Sequence, residues 1–322
     1  RTQHKAYQDA LKQAGIEVHV LDADENHPDC IFVEDQALFV DGEVLIPNVG
    51  APSREGERPA VEAFLRSHLG DDKIHIMADG AKMDGGDVIR LQDIFYVGKS
   101  SRTNDEGIEE FRKFLSRFGH ELRVVNIPGN ALHITSLSST PTDDLIIAPE
   151  GYLSQELFGK LPDGCEVVMM PEEEAYGCNT IGLANGKVLV AKGYPTVKKF
   201  LEERGLDVVE IDMSQIRAAD GSLTCMSVFC ARRARCSRNV ACFSVLDNGR
   251  FSFLRRRRSS SLFDLCVGAT SSSRSSPPRW RVTSRHPRPT SWVSTRTWSS
   301  DRRQRAGWSL WTSTRTTSAG AR

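Results

Sequence analysis

What the sequence lacks divides it into two parts. Residues 1–229 contain no tryptophan, whereas residues 230–322 contain no lysine and no glutamate. The second part carries 20 arginines and three aspartates, a net charge of +17 that balances −17 in the first. Such a break in composition indicates a boundary near residue 230. We predict a folded α/β domain over 1–229 and, over 230–322, a low-complexity Arg/Ser-rich tail that is disordered or spurious.

Two interpretations of the tail stay open. Arginine-rich segments such as 255–258 bind nucleic acid through its phosphates, which would make the tail a binding arm. A tail of that type usually carries lysine as well, and scattered tryptophans are foreign to it. The composition therefore favours out-of-frame or unspliced coding and disfavours a nucleic-acid partner.

Other features that the sequence lacks indicate where in the cell the protein is located. No apolar run is long enough to span a membrane and no signal peptide is visible, so no membrane partner is expected. The spacing of the cysteines in residues 1–229 fits neither a disulfide framework nor paired metal-binding knuckles. These cysteines are Cys30, Cys165, Cys178 and Cys225. A reducing, cytoplasmic location is predicted.

A repeat is the main positive signal in residues 1–229. Two hairpin strands, a helix and a further strand recur about five times, with Asp-Gly and Asn-Gly turns in two of the hairpins. The strands that follow the helices are predicted at 16–21, 73–77, 122–127, 166–170 and 207–211. Units of this size bury their faces against neighbours, and five could close into a ring. Because the chain opens on a helix, the blade that holds Cys225 is expected to lack a partner strand.

Turn clusters that follow the strands carry the reactive residues. His133 and Cys225 occupy equivalent positions in their repeats. A cysteine thiolate attacks carbon, and histidine is the usual proton donor and base beside it. Taken singly, the histidine is more often a core residue and the cysteine a buried thiol. Their equivalent positions favour a catalytic pair.

Charged residues in the same clusters indicate a zwitterionic ligand. Two aspartates flank paired glycines in 83–88, and Pro28–Asp35 places adjacent acids inside a predicted strand, where a ligand cation would pair with them. Arg54 and Arg102 open helices and suit a carboxylate. The sequence thus predicts anions for a guanidinium and cations for an α-carboxylate.

Several runs, taken in order, resemble the dimethylarginine dimethylaminohydrolase family of the guanidino-group-modifying superfamily. The matching runs are 28–35, 50–54, 83–88, 101–104, 132–136 and 220–227. The resemblance implies a five-bladed α/β propeller of ββαβ repeats, the pentein fold, with elements of the first blade missing at the N-terminus. It also implies hydrolysis of methylated arginine to citrulline through a covalent thiouronium, with no metal and no organic cofactor.

The resemblance further implies a role for each matching position. Cys225 would be the nucleophile, His133 the general acid and base, and Asp84 the residue that orients His133 or holds the substrate. Substrate contacts would come from both side chains and backbone. They would be made by Asp29, Glu34 and Asp35 on the guanidinium side, Arg54 and Arg102 at the α-carboxylate, and the backbone of Ala219 and Asp220.

Alternatives remain at this point. An arginine deiminase or agmatine deiminase would use the same plan, but agmatine has no carboxylate for two arginines to bind. Arginine deiminases are usually longer, with an inserted helical domain. A third alternative is an inactive, truncated binder of arginine-like ligands. The sequence does not decide the oligomeric state, a homodimer included, or the preference between mono- and dimethylarginine.

Overall fold

The computed structural model describes residues 2–183, 185–231 and 240–245. Its helices are α1 (Thr2–Gln13), α2 (Arg58–Leu69), α3 (Asp105–Ser116), α4 (Pro195–Glu203) and α5 (Ser214–Arg217). Its strands are β1 (Glu17–Leu21), β2 (Leu38–Val40), β3 (Glu43–Ile46), β4 (Ile74–Ile76), β5 (Val88–Leu91), β6 (Ile94–Lys99), β7 (Glu121–Asn126), β8 (Ser139–Thr142), β9 (Leu145–Pro149), β10 (Glu166–Met170), β11 (Ile181–Gly182), β12 (Lys187–Ala191), β13 (Asp207–Ile211), β14 (Val228–Ala231) and β15 (Val240–Val245).

The strands form five separate three-stranded sheets, which confirms the predicted repeat. In each sheet a central strand pairs antiparallel with one neighbour and parallel with the other. The sheets have the orders β2-β3-β4, β5-β6-β7, β8-β9-β10, β11-β12-β13 and β14-β15-β1. The architecture is the five-bladed α/β propeller. The turns that follow the outer strands carry the predicted reactive residues.

Helix α3 shows why the sequence folds as it does within a blade. The Asn104 side chain accepts a hydrogen bond from the Gly107 amide and so caps the first turn. Ile108, Phe111 and Leu115 are buried on one face of the helix. They pack with Phe95 of β6, whose ring meets Phe111 edge-on at 5.7 Å. The helix therefore covers its own sheet and fixes the loop that precedes it.

Two predicted elements differ from the structure. Residues 31–40 are not one strand, because two 3-10 turns, Pro28–Ile31 and Val33–Gln36, precede the short β2. The repeat also predicts a helix over 151–161, but the structure has only a 3-10 turn there, over Gln155–Phe158. Gly159 follows it at φ 65°, a left-handed conformation that glycine adopts without strain.

The blade that contains the Cys225 turn is completed from an unexpected part of the chain. The expectation that this blade lacks a partner strand is wrong. Strand β15 lies between β1 and β14, with Cys242 opposite both Val18 and Phe229. Strand β14 crosses the predicted boundary at 229, and β15 comes from the predicted tail.

Strand β15 was not predicted because residues 240–245 lie within an arginine-rich segment. The β-branched and apolar residues of this short run nevertheless favour a strand. Residues 232–239 and 246–322 of the predicted tail lie outside the described part of the chain, and the two-domain division stays a prediction. Among the described residues, no helix is long and apolar enough to cross a membrane.

Candidate active site

A cavity of about 710 Å³ gathers most of the predicted site residues. Eight of the ten line it: Asp29, Asp35, Arg54, Arg102, His133, Ala219, Asp220 and Cys225. The other two are one contact away. Asp84 hydrogen-bonds to His133, and Glu34 accepts a hydrogen bond from Thr224, the neighbour of Cys225.

His133 lies in the loop after β7, at the start of a 3-10 turn over Ile134–Ser136. Its Nε2 is 2.9 Å from Asp84 Oδ2 and 3.9 Å from Asp35 Oδ1. Burial disfavours the imidazolium, but the charges of Asp35, Asp84 and Asp87 outweigh it and raise the pKa of His133 to about 9. The histidine is therefore a cation at neutral pH and has a proton to donate.

The paired glycines Gly85 and Gly86 let the turns around His133 pack closely. A Cβ on Gly85 would lie 2.0 Å from the Glu34 carbonyl oxygen, and a Cβ on Gly86 would lie 2.6 Å from His133 Nδ1. Either contact would push apart the turns that carry the acids and the histidine. The Gly86 amide also donates to Asp35 Oδ1 at 2.9 Å. The glycines of the Asp-Gly-Gly-Asp run are thus required because the turns approach each other closely at the site.

Cys225 is buried in a 3-10 turn, Thr224–Met226, at the start of the last blade. Its Sγ is 3.2 Å from Ser222 Oγ. Burial raises the pKa of the thiol, and the nearby carboxylates Glu34 and Asp35 raise it further. Cys225 is therefore a neutral thiol at neutral pH.

Glu34, like Cys225, is held in its neutral form. Burial, together with the charge of Asp35, raises the pKa of Glu34 to about 8. Its carboxylate accepts a hydrogen bond from Thr224 Oγ1 at 3.1 Å, directly beside the cysteine. A guanidinium bound here would favour ionisation of both groups, since each is held neutral by burial and by like charge.

Asn179 holds the loops of the histidine and the cysteine together. Its buried Nδ2 donates to the Thr135 carbonyl at 2.7 Å and to Thr224 Oγ1 at 2.9 Å. Its Oδ1 accepts from the Thr224 amide at 3.1 Å. One amide side chain in the turn after β10 thus sets the distance between two catalytic candidates.

Arg54 pairs with acidic residues of the chain, and its expected role at the α-carboxylate stays a prediction. The guanidinium is buried and donates to Asp35 at 2.5 Å, to Glu57 through Nε at 3.0 Å, and to the Phe32 carbonyl at 2.7 Å. Asp35 thus has a cation within the chain, contrary to the expectation that a ligand supplies it. Although burial opposes ionisation, the charges of His133 and Arg54 hold the pKa of Asp35 below its ordinary value. Arg54 therefore holds Asp35 in place at the wall of the cavity.

The remaining predicted residues lie at the wall of the cavity. Asp29 is exposed, as are Ala219 and Asp220 in the loop before Cys225. Asp220 has φ 59°, so its backbone turns sharply there. Arg102 is 28% exposed, and its Nη1 lies 3.8 Å from Asp84 Oδ2. Arg102 therefore keeps donors available to a ligand.

A metal ion is chemically conceivable at one cluster. One ligand atom each from Asp35, Asp84 and His133 lies within 4.8 Å of the others. Arg54 already pairs with Asp35, and Arg102 adds a second positive charge beside Asp84. These cations and the protonated histidine leave little reason for a divalent ion, and reaction without a metal stays a prediction.

Sequence reasoning missed several residues in the cavity wall or next to it. Asn179 falls in the turn cluster of its repeat, but the sequence does not indicate that it joins two loops. Ser222, Thr224, Tyr176 and Arg217 gave no signal of their own, because serine, threonine, tyrosine and arginine are ordinary in loops and short helices. Their position beside the cysteine turn depends on the packing of the last two blades.

A family model and two curated relatives indicate one family. A sequence model for eukaryotic N,N dimethylarginine dimethylhydrolase matches residues 1–230. The dimethylarginine dimethylaminohydrolase of Pseudomonas aeruginosa is 33% identical over 227 residues, covering 70% of this chain and 86% of that protein. The corresponding protein of Streptomyces coelicolor is 30% identical over 231 residues, covering 70% and 84%.

The chain belongs to the dimethylarginine dimethylaminohydrolase family. Like its relatives, it is a hydrolase acting on C–N bonds of amidines. A solved structure of the P. aeruginosa enzyme, a cysteine-to-serine variant complexed with citrulline, matches with a TM-score of 0.63 at 30% identity, over 70% of this chain and 86% of that one. The N-terminal domain of ArgZ, a cyanobacterial arginine dihydrolase, matches with a TM-score of 0.63 at 16% identity, covering 70% and 84%, which shows a shared fold.

Proposed function

We propose that this protein hydrolyses N-omega-methylated arginine to citrulline and methylamine or dimethylamine, with Cys225 as nucleophile. The observation that carries the proposal is the joint placement of Cys225, His133 and buried carboxylates around one cavity. The family relationship and the citrulline complex of the P. aeruginosa relative support the substrate class.

The first half of the proposed reaction uses the charges described above. The substrate guanidinium binds beside Glu34 and Asp35, and its charge favours the Cys225 thiolate, whose proton passes to solvent. The sulfur attacks the central guanidinium carbon. His133, a cation before the reaction, donates its proton to the departing amine as the C–N bond breaks.

The second half regenerates the enzyme. A covalent thiouronium joins Cys225 to the remaining substrate carbon. Neutral His133 now accepts a proton from water, and the resulting hydroxide attacks that carbon. The C–S bond breaks as the hydroxyl group on that carbon passes its proton to the sulfur, so citrulline leaves and Cys225 returns to the neutral thiol. His133 keeps the proton that it took from water. Asp84 keeps the imidazole oriented throughout and stabilises its charged form.

A substrate panel tests this proposal. Purified chain is given asymmetric dimethylarginine, monomethylarginine, arginine and agmatine, and citrulline or carbamoylputrescine is measured. Release from the methylated substrates alone, abolished in Cys225→Ser, is expected. Preference for arginine would indicate a deiminase, and a folded chain without turnover of any substrate would indicate an inactive binder. A cytoplasmic location and the homodimer stay predictions.

A further inference from the structure

Ser222 and Cys225 are three residues apart in the turn that enters the last blade. Leu223 begins this turn in a helical conformation, φ −59° and ψ −49°, and the 3-10 turn Thr224–Met226 follows. Side chains three residues apart lie above one another in such a turn. Ser222 Oγ is 3.2 Å from Cys225 Sγ, and both residues are buried and line the cavity. The hydroxyl therefore lies within hydrogen-bonding distance of the proposed nucleophile.

The backbone next to Ser222 is fixed by its neighbours. The Gly221 amide donates to the Ile216 carbonyl at 3.0 Å, and the Gly221 carbonyl accepts from Tyr176 Oη at 2.8 Å. A Cβ on Gly221 would lie 2.2 Å from Phe32 Cε1, so this residue packs directly against the ring. The serine is thus positioned before any reaction begins, and a donor placed in advance needs no reorganisation when charge develops beside it.

The Ser222 hydroxyl is available to the sulfur. Within the described part of the chain, Cys225 Sγ is the only hydrogen-bond partner of Ser222 Oγ. The other hydroxyl of the turn, Thr224 Oγ1, donates instead to Glu34 at 3.1 Å. A thiolate has no proton, so once Cys225 ionises the serine must be the donor of their hydrogen bond. A serine hydroxyl keeps its proton over the whole working range of pH, so the donor is always present.

The surroundings of Cys225 explain why such a donor matters. Burial and the two nearby carboxylates raise the pKa of the thiol, whereas hydrogen bonds from the side chain and the backbone of Ser222 lower it. Ser222 thus opposes, with a neutral group, the charges that disfavour the thiolate. The titratable groups that face Cys225 or share its cavity are Glu34, Asp35, Tyr176 and His133.

We propose that Ser222 is a catalytic residue whose hydroxyl donates a hydrogen bond to the Cys225 thiolate and so stabilises the nucleophile before it attacks. The inference rests on the proposed function and refines it. The serine transfers no proton: it keeps its own hydrogen, and the thiol proton passes to solvent. A hydrogen bond to an ionised acceptor is about twice as strong as one between neutral groups, so it favours the thiolate over the thiol.

The test measures how fast Cys225 is alkylated by iodoacetamide, a neutral reagent, at a series of pH values. Mass spectrometry of the Cys225 peptide gives the rates. In Ser222→Ala the curve of rate against pH should move toward higher pH by about half to one unit, or about three- to tenfold at a fixed pH. A charge-assisted hydrogen bond is worth roughly one to two pKa units, and about half of this is offset because a more basic thiolate reacts faster.

Two further variants separate the hydroxyl from packing. Ser222→Thr keeps the hydroxyl and should stay close to the wild-type curve. Ser227→Ala is the matched control, because Ser227 is also a buried serine beside the cysteine turn, but its Oγ lies 2.6 Å from Tyr7 Oη. Its curve should coincide with that of wild type, and circular dichroism checks that each variant is folded. An unmoved curve in Ser222→Ala, or an equal displacement in Ser222→Thr or Ser227→Ala, would overturn the proposal.

Turnover of dimethylarginine separates this inference from the proposed function. Ser222→Ala should lower kcat about tenfold and change KM little, because the hydroxyl contacts the sulfur and not the substrate. Alkylation needs no substrate. If wild type fails to hydrolyse dimethylarginine while the displaced curve persists, the proposed function fails and the hydrogen bond of Ser222 to the sulfur stands. If wild type hydrolyses dimethylarginine and Ser222→Ala changes neither kcat nor the alkylation curve, the role of Ser222 fails and the proposed function stands.

Discussion

At the scale of single residues, the charge of Glu34 links substrate binding to the reactivity of Cys225. Burial keeps both groups neutral in the pocket, and a cation would favour their ionised forms. Chloroacetamidine carries such a cation, whereas chloroacetamide is neutral and of similar size. We expect Cys225 to react faster with the amidine, and Glu34→Gln to lower the ratio of the two rates about tenfold, the usual value of a charged hydrogen bond.

The control for this labelling is Glu150→Gln, which removes an exposed carboxylate. Rates are measured by mass spectrometry of the peptide that contains Cys225. An unchanged ratio in Glu34→Gln would show that Glu34 does not bind the cationic end of ligands.

His133 depends on Asp84 in a way that pH reveals. Asp84→Asn keeps the size of the side chain and removes its charge, so the pKa of His133 should fall below its value of about 9. The acid form becomes scarcer at neutral pH, and kcat should drop about 100-fold, a typical general-acid contribution. NMR titration of the histidine and the alkaline limb of the kcat profile measure the two effects.

Asp79→Asn serves as the comparison for Asp84→Asn, since Asp79 is exposed. Should the pKa of His133 stay near 9 in Asp84→Asn, the assignment of Asp84 as its charge partner is wrong.

At the scale of elements, the helices were predictable and the segment before β2 was not. Helix α3 has its cap, its apolar face and a terminating glycine in sequence order, so local signals determine its bounds. Residues 28–36 form 3-10 turns instead, and Arg54 contacts the carbonyls of Asp29 and Phe32 there. Such a partner is distant in sequence, so strand propensity predicts the wrong element.

Strand β15 gives an element-scale prediction. Cys242 is central in the strand and pairs on both sides, so proline there removes a backbone donor from the middle of a sheet. Cys242→Pro should lower the free energy of unfolding by more than about 1 kcal/mol relative to Cys242→Ala. Urea unfolding of the two variants measures this. Equal stabilities would contradict the position of 240–245 as the central strand of that sheet.

At the scale of the whole molecule, the site makes stability depend on pH. The pKa values of Glu34, about 8, and His133, about 9, are both raised above their unfolded values. The folded state therefore binds more protons than the unfolded state between pH 7 and 9, so stability falls as pH rises through this window. We expect a loss of roughly 2 kcal/mol, reduced in the double variant Glu34→Gln/His133→Gln. Urea unfolding at several pH values measures it, and stability that rises with pH would contradict the protonation states.

Much of the site could be predicted from the repeat, because side chains at equivalent positions of the repeats meet at the centre of a ring. His133 and Cys225 could be paired in this way, and the close approach of Gly85 and Gly86 explains the most specific motif. Arg54 shows what could not be predicted from the sequence. Its type and position suit a ligand carboxylate, yet Glu57, three residues later, pairs with it in the buried interior. Only the packed structure shows that Arg54 is part of a buried ion pair.

The central claim is that Cys225 becomes covalently attached to the substrate carbon during turnover. The most direct measurement is acid quenching of the chain during turnover of dimethylarginine, followed by mass spectrometry of the Cys225 peptide, with Cys225→Ser treated alike. We predict a thiouronium adduct on Cys225 that appears before steady state and is absent in the variant. Citrulline formation at undiminished rate in Cys225→Ser, or turnover with an adduct on another residue, would contradict the account.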